Sequence, residues 1–223
     1  DGTSQNPYIV EIVFAPATVA TFESFIGGDA TDTVDLRGAG SPGSRVYFGP
    51  AAGVSMASFL SGVELVHAGA AADVIILSNY QWEFDEYDAY ASDVTVVAGE
   101  GSDAVFSGLG SDVVYGDLQA GTLSLADGAD TLFGGAGNDI VYGDSVDGQV
   151  PGAKAGADTI YGGDGLDTIF GGGNDDVIFD VWDGSLYGGN GADLLAVELR
   201  GVFATGLAFA GDESENDGAD RVF

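Results

Sequence analysis

A ninefold spacing of aspartates, each set behind a glycine-rich stretch, constrains this chain more than any other feature. Repeats of this kind decide the architecture of a chain. From residue 98 the sequence can be written in nines: AGEGSDAVF (98–106), SGLGSDVVY (107–115), GGAGNDIVY (134–142), GGDGLDTIF (162–170), GGGNDDVIF (171–179) and GGNGADLLA (188–196). Two further copies are interrupted. Gly116-Asp117 resumes at DGADTLF (127–133), and Gly143-Asp144 resumes at AGADTIY (155–161). The aspartates in phase are Asp103, Asp112, Asp130, Asp139, Asp158, Asp167, Asp176 and Asp193. Their spacings are 9, 18, 9, 19, 9, 9 and 17. Acidic residues number 36 in 223, so chance does not keep this phase over eight positions.

The two halves of the repeat do different work. The glycine-rich half suits a turn with positive φ and close backbone approach. The second half, as in Asp139-Ile140-Val141-Tyr142, is a short strand of β-branched and aromatic residues. One side chain per strand (Val105, Val114, Leu132, Val141, Ile160, Ile169, Ile178 and Leu195) is expected to point inward and stack into an aliphatic core. Turn, strand, turn, strand makes an all-β, two-sheet parallel coil in which two repeats complete one winding. This glycine density leaves no helical period. Counted alternately, the insertions Leu118–Ala126 and Ser145–Lys154 fall on one edge of the coil, where solenoids collect their loops.

Outside the regular part the pattern weakens. Degenerate copies surround Asp32 (residues 25–34) and Asp73 (residues 68–76), and Arg45–Phe48 and Val54–Leu60 are strand-like. Tyr80–Tyr90 is an acidic, aromatic insertion, and the first two dozen residues read as a cap. The expected organisation is therefore residues 1–97 as an irregular solenoid or capping part, 98–196 as the regular roll, and 197–223 as a tail entering a further degenerate repeat. The chain reads as a piece of something longer.

Composition excludes several classes. There is no cysteine, hence neither disulfide nor thiolate metal site. Thirty-six acidic residues against five basic ones give a net charge of −31, which repels nucleic acid and anionic lipid. No apolar run reaches the length of a membrane span, and no signal-peptide pattern is present. With a single histidine (His67) and no nucleophile elbow, the sequence offers no catalytic constellation, and the expectation is no enzyme activity.

GGAGNDIVY and GGDGLDTIF resemble the RTX (repeats-in-toxin) nonapeptide G-G-x-G-x-D-x-U-x, a calcium-binding motif. The resemblance implies a right-handed parallel β-roll, a β-helix-like solenoid, with several Ca²⁺ ions between successive turns. It makes the sixth-place aspartates named above side-chain ligands, together with Asp32 and Asp73 in the degraded turns. It makes turn glycines backbone-carbonyl ligands: Gly108, Gly110, Gly135, Gly137, Gly163, Gly165, Gly172, Gly189 and Gly191. Gly173-Asn174 departs from the motif by placing Asn where the fourth-place Gly belongs, a departure that bears on the Asp176 site.

The physical chemistry agrees. Calcium takes six to eight oxygens, carboxylates and carbonyls together. Carboxylates on neighbouring windings about 4.8 Å apart repel by roughly 3 kcal/mol at an effective dielectric of about 20. Asp in a glycine turn also serves as a plain turn former, and the last-place aromatics (Phe106, Tyr115, Phe133, Tyr142, Tyr161, Phe170 and Phe179) admit both a stabilising ladder and a sugar platform. An ice-binding roll would want an outward Thr/Asn ladder, which is absent. The function expected is a non-catalytic calcium-binding module of a type I-secreted bacterial protein (an adhesin, surface-layer or other extracellular protein) that folds on calcium outside the cell. The alternative is an RTX appendage of a secreted protease, lipase or polysaccharide epimerase. Expected partners are calcium and neighbouring domains or copies of the chain at the cell surface, without nucleic acid or membrane insertion.

Overall fold

The computed structural model describes residues 9–11, 25–26, 33–35, 45–47, 60–61, 65–68, 72–79, 88–89, 93–117, 127–144, 155–181, 184–198, 207–209 and 221–222. All its regular elements among these are strands, and no helix is long and apolar enough to cross a membrane. The strands form two parallel sheets of nine and eight, and successive strands of the roll alternate between them. One sheet carries Thr95–Val97, Val113–Tyr115, Ile140–Tyr142, Thr168–Gly173 and Ser185–Asn190 as consecutive neighbours. The other carries Ala104–Gly108, Thr131–Ala136, Thr159–Asp164, Val177–Asp180 and Leu194–Val197. This is the parallel β-roll that the repeat implies.

Registers between the paired strands confirm the two-repeat winding and locate every departure from it. Thr95 pairs with Val113 and Thr159 with Val177, each two whole repeats further on. Val113 pairs with Ile140, and Ile140 with Thr168. These two steps exceed one winding by the lengths of the insertions 118–126 and 145–154 respectively, so the register of the described strands is kept across each insertion. Tyr115 and Tyr142, the last strand residues before each insertion, are direct neighbours, so both insertions leave one edge of the roll from adjacent windings. Thr168 pairs with Ser185 and Val177 with Leu194, so this winding falls a single residue short of two repeats.

The core is the expected column. Val105, Val114, Leu132, Val141, Ile160, Ile169, Ile178 and Leu195 are all fully buried, and alternate side chains on each strand point outward. Leu186 joins them from a strand whose turn lacks the phased aspartate. The column continues upstream through Val96, Ile75 and Val66, and both sheets pass residue 98 without a break. Farther still, Ile9–Glu11 and Thr33–Asp35 extend one sheet and Arg45–Tyr47 the other. Ser78–Asn79 and Asp88–Ala89 form an antiparallel pair that brackets most of the aromatic insertion.

Outside the sheets, last-place aromatics stack in two files. Phe106, Phe133, Tyr161 and Phe179 follow one another at 4.4–5.2 Å, and Tyr115, Tyr142, Phe170 and Tyr187 at 4.8–5.0 Å. The ring spacing is the strand spacing, as parallel in-register pairing requires.

Candidate metal centre

Each phased aspartate sits where a glycine turn enters a strand, so the coil lines these carboxylates up along its two edges. Asp73, Asp103, Asp130, Asp158, Asp176 and Asp193 form one ladder, and Asp112, Asp139 and Asp167 the other; all are at most 3% exposed. The rungs are hydrogen-bonded alike. The backbone N–H of Asp73 donates to Oδ1 of Asp103 (2.6 Å), that of Asp103 to Asp130 (2.8 Å), and so on through Asp158, Asp176 and Asp193. On the other edge Asp112 donates to Asp139 (2.8 Å) and Asp139 to Asp167 (2.9 Å). Oδ1 is thereby spent on holding the windings together.

Oδ2 is not. In Asp103, Asp130, Asp139, Asp158 and Asp176 this buried oxygen has no hydrogen-bond partner. In four of these turns it lies in a small oxygen-lined space kept open by a first-place glycine. A Cβ at Gly116 would meet Asp130 Oδ2 and the Gly143 carbonyl, and a Cβ at Gly143 would meet Asp158 Oδ2 and the Gly171 carbonyl. Gly134 and Gly171 stand in the same relation to Asp139 with Gly162, and Asp176 with Gly188. A buried acceptor without a donor costs about 1–3 kcal/mol, more when charged. Such groups are expected to be protonated or to coordinate a metal.

No side chain described nearby supplies positive charge. Arg37, Arg45, Lys154, Arg200 and Arg221 are the chain's only basic side chains besides His67, and none lies among the residues whose side chains are described. Burial, followed by the neighbouring carboxylates Asp158, Asp103 and Asp144, pushes Asp130 up to about 9 against a lowering backbone hydrogen bond. Burial first, then Asp158 and Asp193, pushes Asp176 up to about 9, and burial lifts Asp103 and Asp112 to about 7. A hard divalent cation held by Oδ2 and turn carbonyls would remove this penalty.

A family comparison covers most of the stretch that carries these ladders. The RTX calcium-binding nonapeptide repeat model (4 copies) matches residues 95–123, 115–150 and 153–179. Within residues 95–179 the roll is built of RTX calcium-binding repeats. Neither a curated protein nor a solved structure gives a significant match. RTX repeats bind Ca²⁺, and the ladder geometry shows where this one has oxygen to offer.

The glycines expected as carbonyl ligands are all in the roll's turns. Gly108, Gly135, Gly163, Gly172 and Gly189 take positive φ at second places, and Gly137, Gly165 and Gly191 at fourth places. Carbonyls stack directly over the glycine of the next winding: Gly108 over Gly135, Gly110 over Gly137, and Gly137 over Gly165. Asn174 adopts φ 72°, which Asn tolerates, and its carbonyl faces Gly191 as a fourth-place glycine's would. The Asp176 turn therefore keeps the repeat's path despite the Asn. Asp73 joins its ladder from a degraded turn, whereas Asp32 lies outside the described residues.

Four acidic residues escaped the ninefold phase. Gly184 stands where a sixth-place aspartate belongs, and the Asp180 carboxylate fills the space its Cβ would take, beside Asp167. Asp117 and Asp144 replace second-place glycines, and Asp127 stands at a third place; their carboxylate oxygens lie within 4.8 Å of one another. Only acidic residues at strand-to-insertion junctions could have flagged them, and in a chain this acidic that signal is weak.

Proposed function

We propose that the chain is a non-catalytic calcium-folded module of a bacterial protein exported through a type I channel. The observation that carries this is the run of buried Oδ2 atoms without donors, in a roll whose described side chains include no Lys or Arg. At neutral pH and low calcium these carboxylates repel and resist burial, so the chain stays export-competent. In millimolar extracellular calcium the ions complete the turns and the two sheets close. Sixth-place aspartates supply Oδ2, and turn glycines supply carbonyls. In the parent protein the roll would serve an adhesin, surface layer or other extracellular structure, with neighbouring domains or copies of itself as partners.

The test is folding itself. Calcium-stripped protein is expected to lack a β-type circular dichroism spectrum and gain it cooperatively on calcium addition, with a fall in radius of gyration by X-ray scattering. An unchanged β spectrum and compact radius in chelator would overturn the proposal.

A further inference from the structure

Beyond the ladders, we propose that Asp117, Asp127 and Asp144 form a separate calcium site that ties the roots of the roll's two insertions together. Three carboxylates gathered within 4.8 Å would be ordinary at a wet surface. This group is not wet. Asp117 is fully buried, and neither of its carboxylate oxygens has a hydrogen-bond partner; the same holds for both buried oxygens of Asp127. Asp144 is aimed by backbone donors, Gly156 N–H onto Oδ1 at 2.7 Å and Gly173 N–H onto Oδ2 at 2.6 Å. Each of its oxygens keeps a further acceptor position. Among the described residues, the charged groups acting on Asp117 are other aspartates: Asp130, Asp127, Asp144 and Asp158.

The donor set names the ligand class. Oxygen-only, all-carboxylate donors without His or Cys suit a hard divalent cation such as calcium, not zinc or copper. The ladders use sixth-place aspartates; this cluster uses second- and third-place residues, so it is not one more copy of the repeat.

Its position gives it a role. Asp117 directly precedes residues 118–126 and Asp127 directly follows them; Asp144 directly precedes residues 145–154, and Gly156, which bonds it, follows them. One ion at this point joins the departure and return of the first insertion to the departure of the second. Closing both loops at a shared root removes chain freedom that a bare turn would leave. The site therefore couples calcium to the presentation of the insertions, whereas the ladders couple calcium to the coil.

The experiment uses the full chain and calcium alone as probe. Bound calcium is counted by equilibrium dialysis, and trypsin cleavage at Lys154, inside the second insertion, reports the loop root. Asp117→Asn keeps the shape and removes charge. It is expected to bind about one calcium fewer per chain, to keep the calcium-induced β spectrum, and to be cut at Lys154 at least about fivefold faster in saturating calcium. The ladder variant Asp139→Asn, on the opposite edge, is expected to leave Lys154 cleavage unchanged, which separates failure of this site from failure of the ladders. Wild-type stoichiometry in Asp117→Asn, or unaltered Lys154 protection, overturns the proposal. Should Asp117→Asn not fold with calcium, the partly exposed Asp127→Asn carries the same two readouts.

Discussion

Under the proposed function a ladder aspartate has two jobs for its two oxygens, and asparagine separates them. In Asp139→Asn, Oδ1 still accepts from Asp112 N–H, but the charge available to calcium is gone. The calcium midpoint for folding is expected to rise about tenfold, while the chelated protein becomes more ordered, because a buried charge has been removed; circular dichroism in calcium titration and in chelator reads both. Glycine substitution acts differently. Gly165 holds φ 149° with the Gly137 carbonyl where a Cβ would go. Gly165→Ala is expected to cost more than the roughly 1 kcal/mol of conformational strain alone, seen as a lower urea midpoint in saturating calcium. Asn174→Gly should be close to neutral. At this scale the sequence made the sixth-place aspartates legible, because the ninefold phase is a local signal. Asp117, Asp127 and Asp144 were hidden, because only winding the coil brings second- and third-place residues of adjacent turns together.

The elements depend on an inward aliphatic column and two outward aromatic files. Leu132 is fully buried between Val105 and Ile160, its in-register neighbours. Leu132→Ala is expected to destabilise the calcium-loaded roll by about 2–5 kcal/mol. Phe133 is only partly buried but stacks at 4.4 and 4.6 Å on Phe106 and Tyr161. Phe133→Ala should cost less, about 1–3 kcal/mol, since its stacks add to a smaller burial. Urea unfolding of both variants at saturating calcium ranks them, and the opposite ranking would place the stability in the aromatic files. Alternation of β-branched residues made most strands and their inward faces readable in advance. Ser185–Asn190 was missed because its winding is a single residue short and Gly184 replaces its aspartate. The short count is visible in the sequence, but the way Asp180 refills the position is a three-dimensional fact.

For the whole molecule, the buried carboxylates make stability depend on pH in opposite directions with and without calcium. Asp139 is lifted to about 6, Asp158 and Asp167 to about 8, and Asp130 and Asp176 to about 9, burial being the first cause in each, from an ordinary value of 3.8. A group raised in the folded state lends stability that is full below its unfolded value and is lost as pH rises through its folded value. Metal-free roll is thus expected to lose stability from about pH 4 upward, through pH 6–9. At pH 7 one such group with a folded value above 7 costs about 4 kcal/mol, from roughly three pH units at about 1.36 kcal/mol each. Two or three exhaust the roughly 5–15 kcal/mol that holds a typical domain. Calcium inverts the slope because it binds the deprotonated form, so acid competes with the ion. Thermal unfolding between pH 5 and 8, above the sequence pI of about 4.1, should show stability falling with pH in chelator and rising with pH at a fixed, sub-saturating calcium level. Parallel slopes in the two conditions would mean that the carboxylates titrate without the cation, and that the ladders are not what calcium fills.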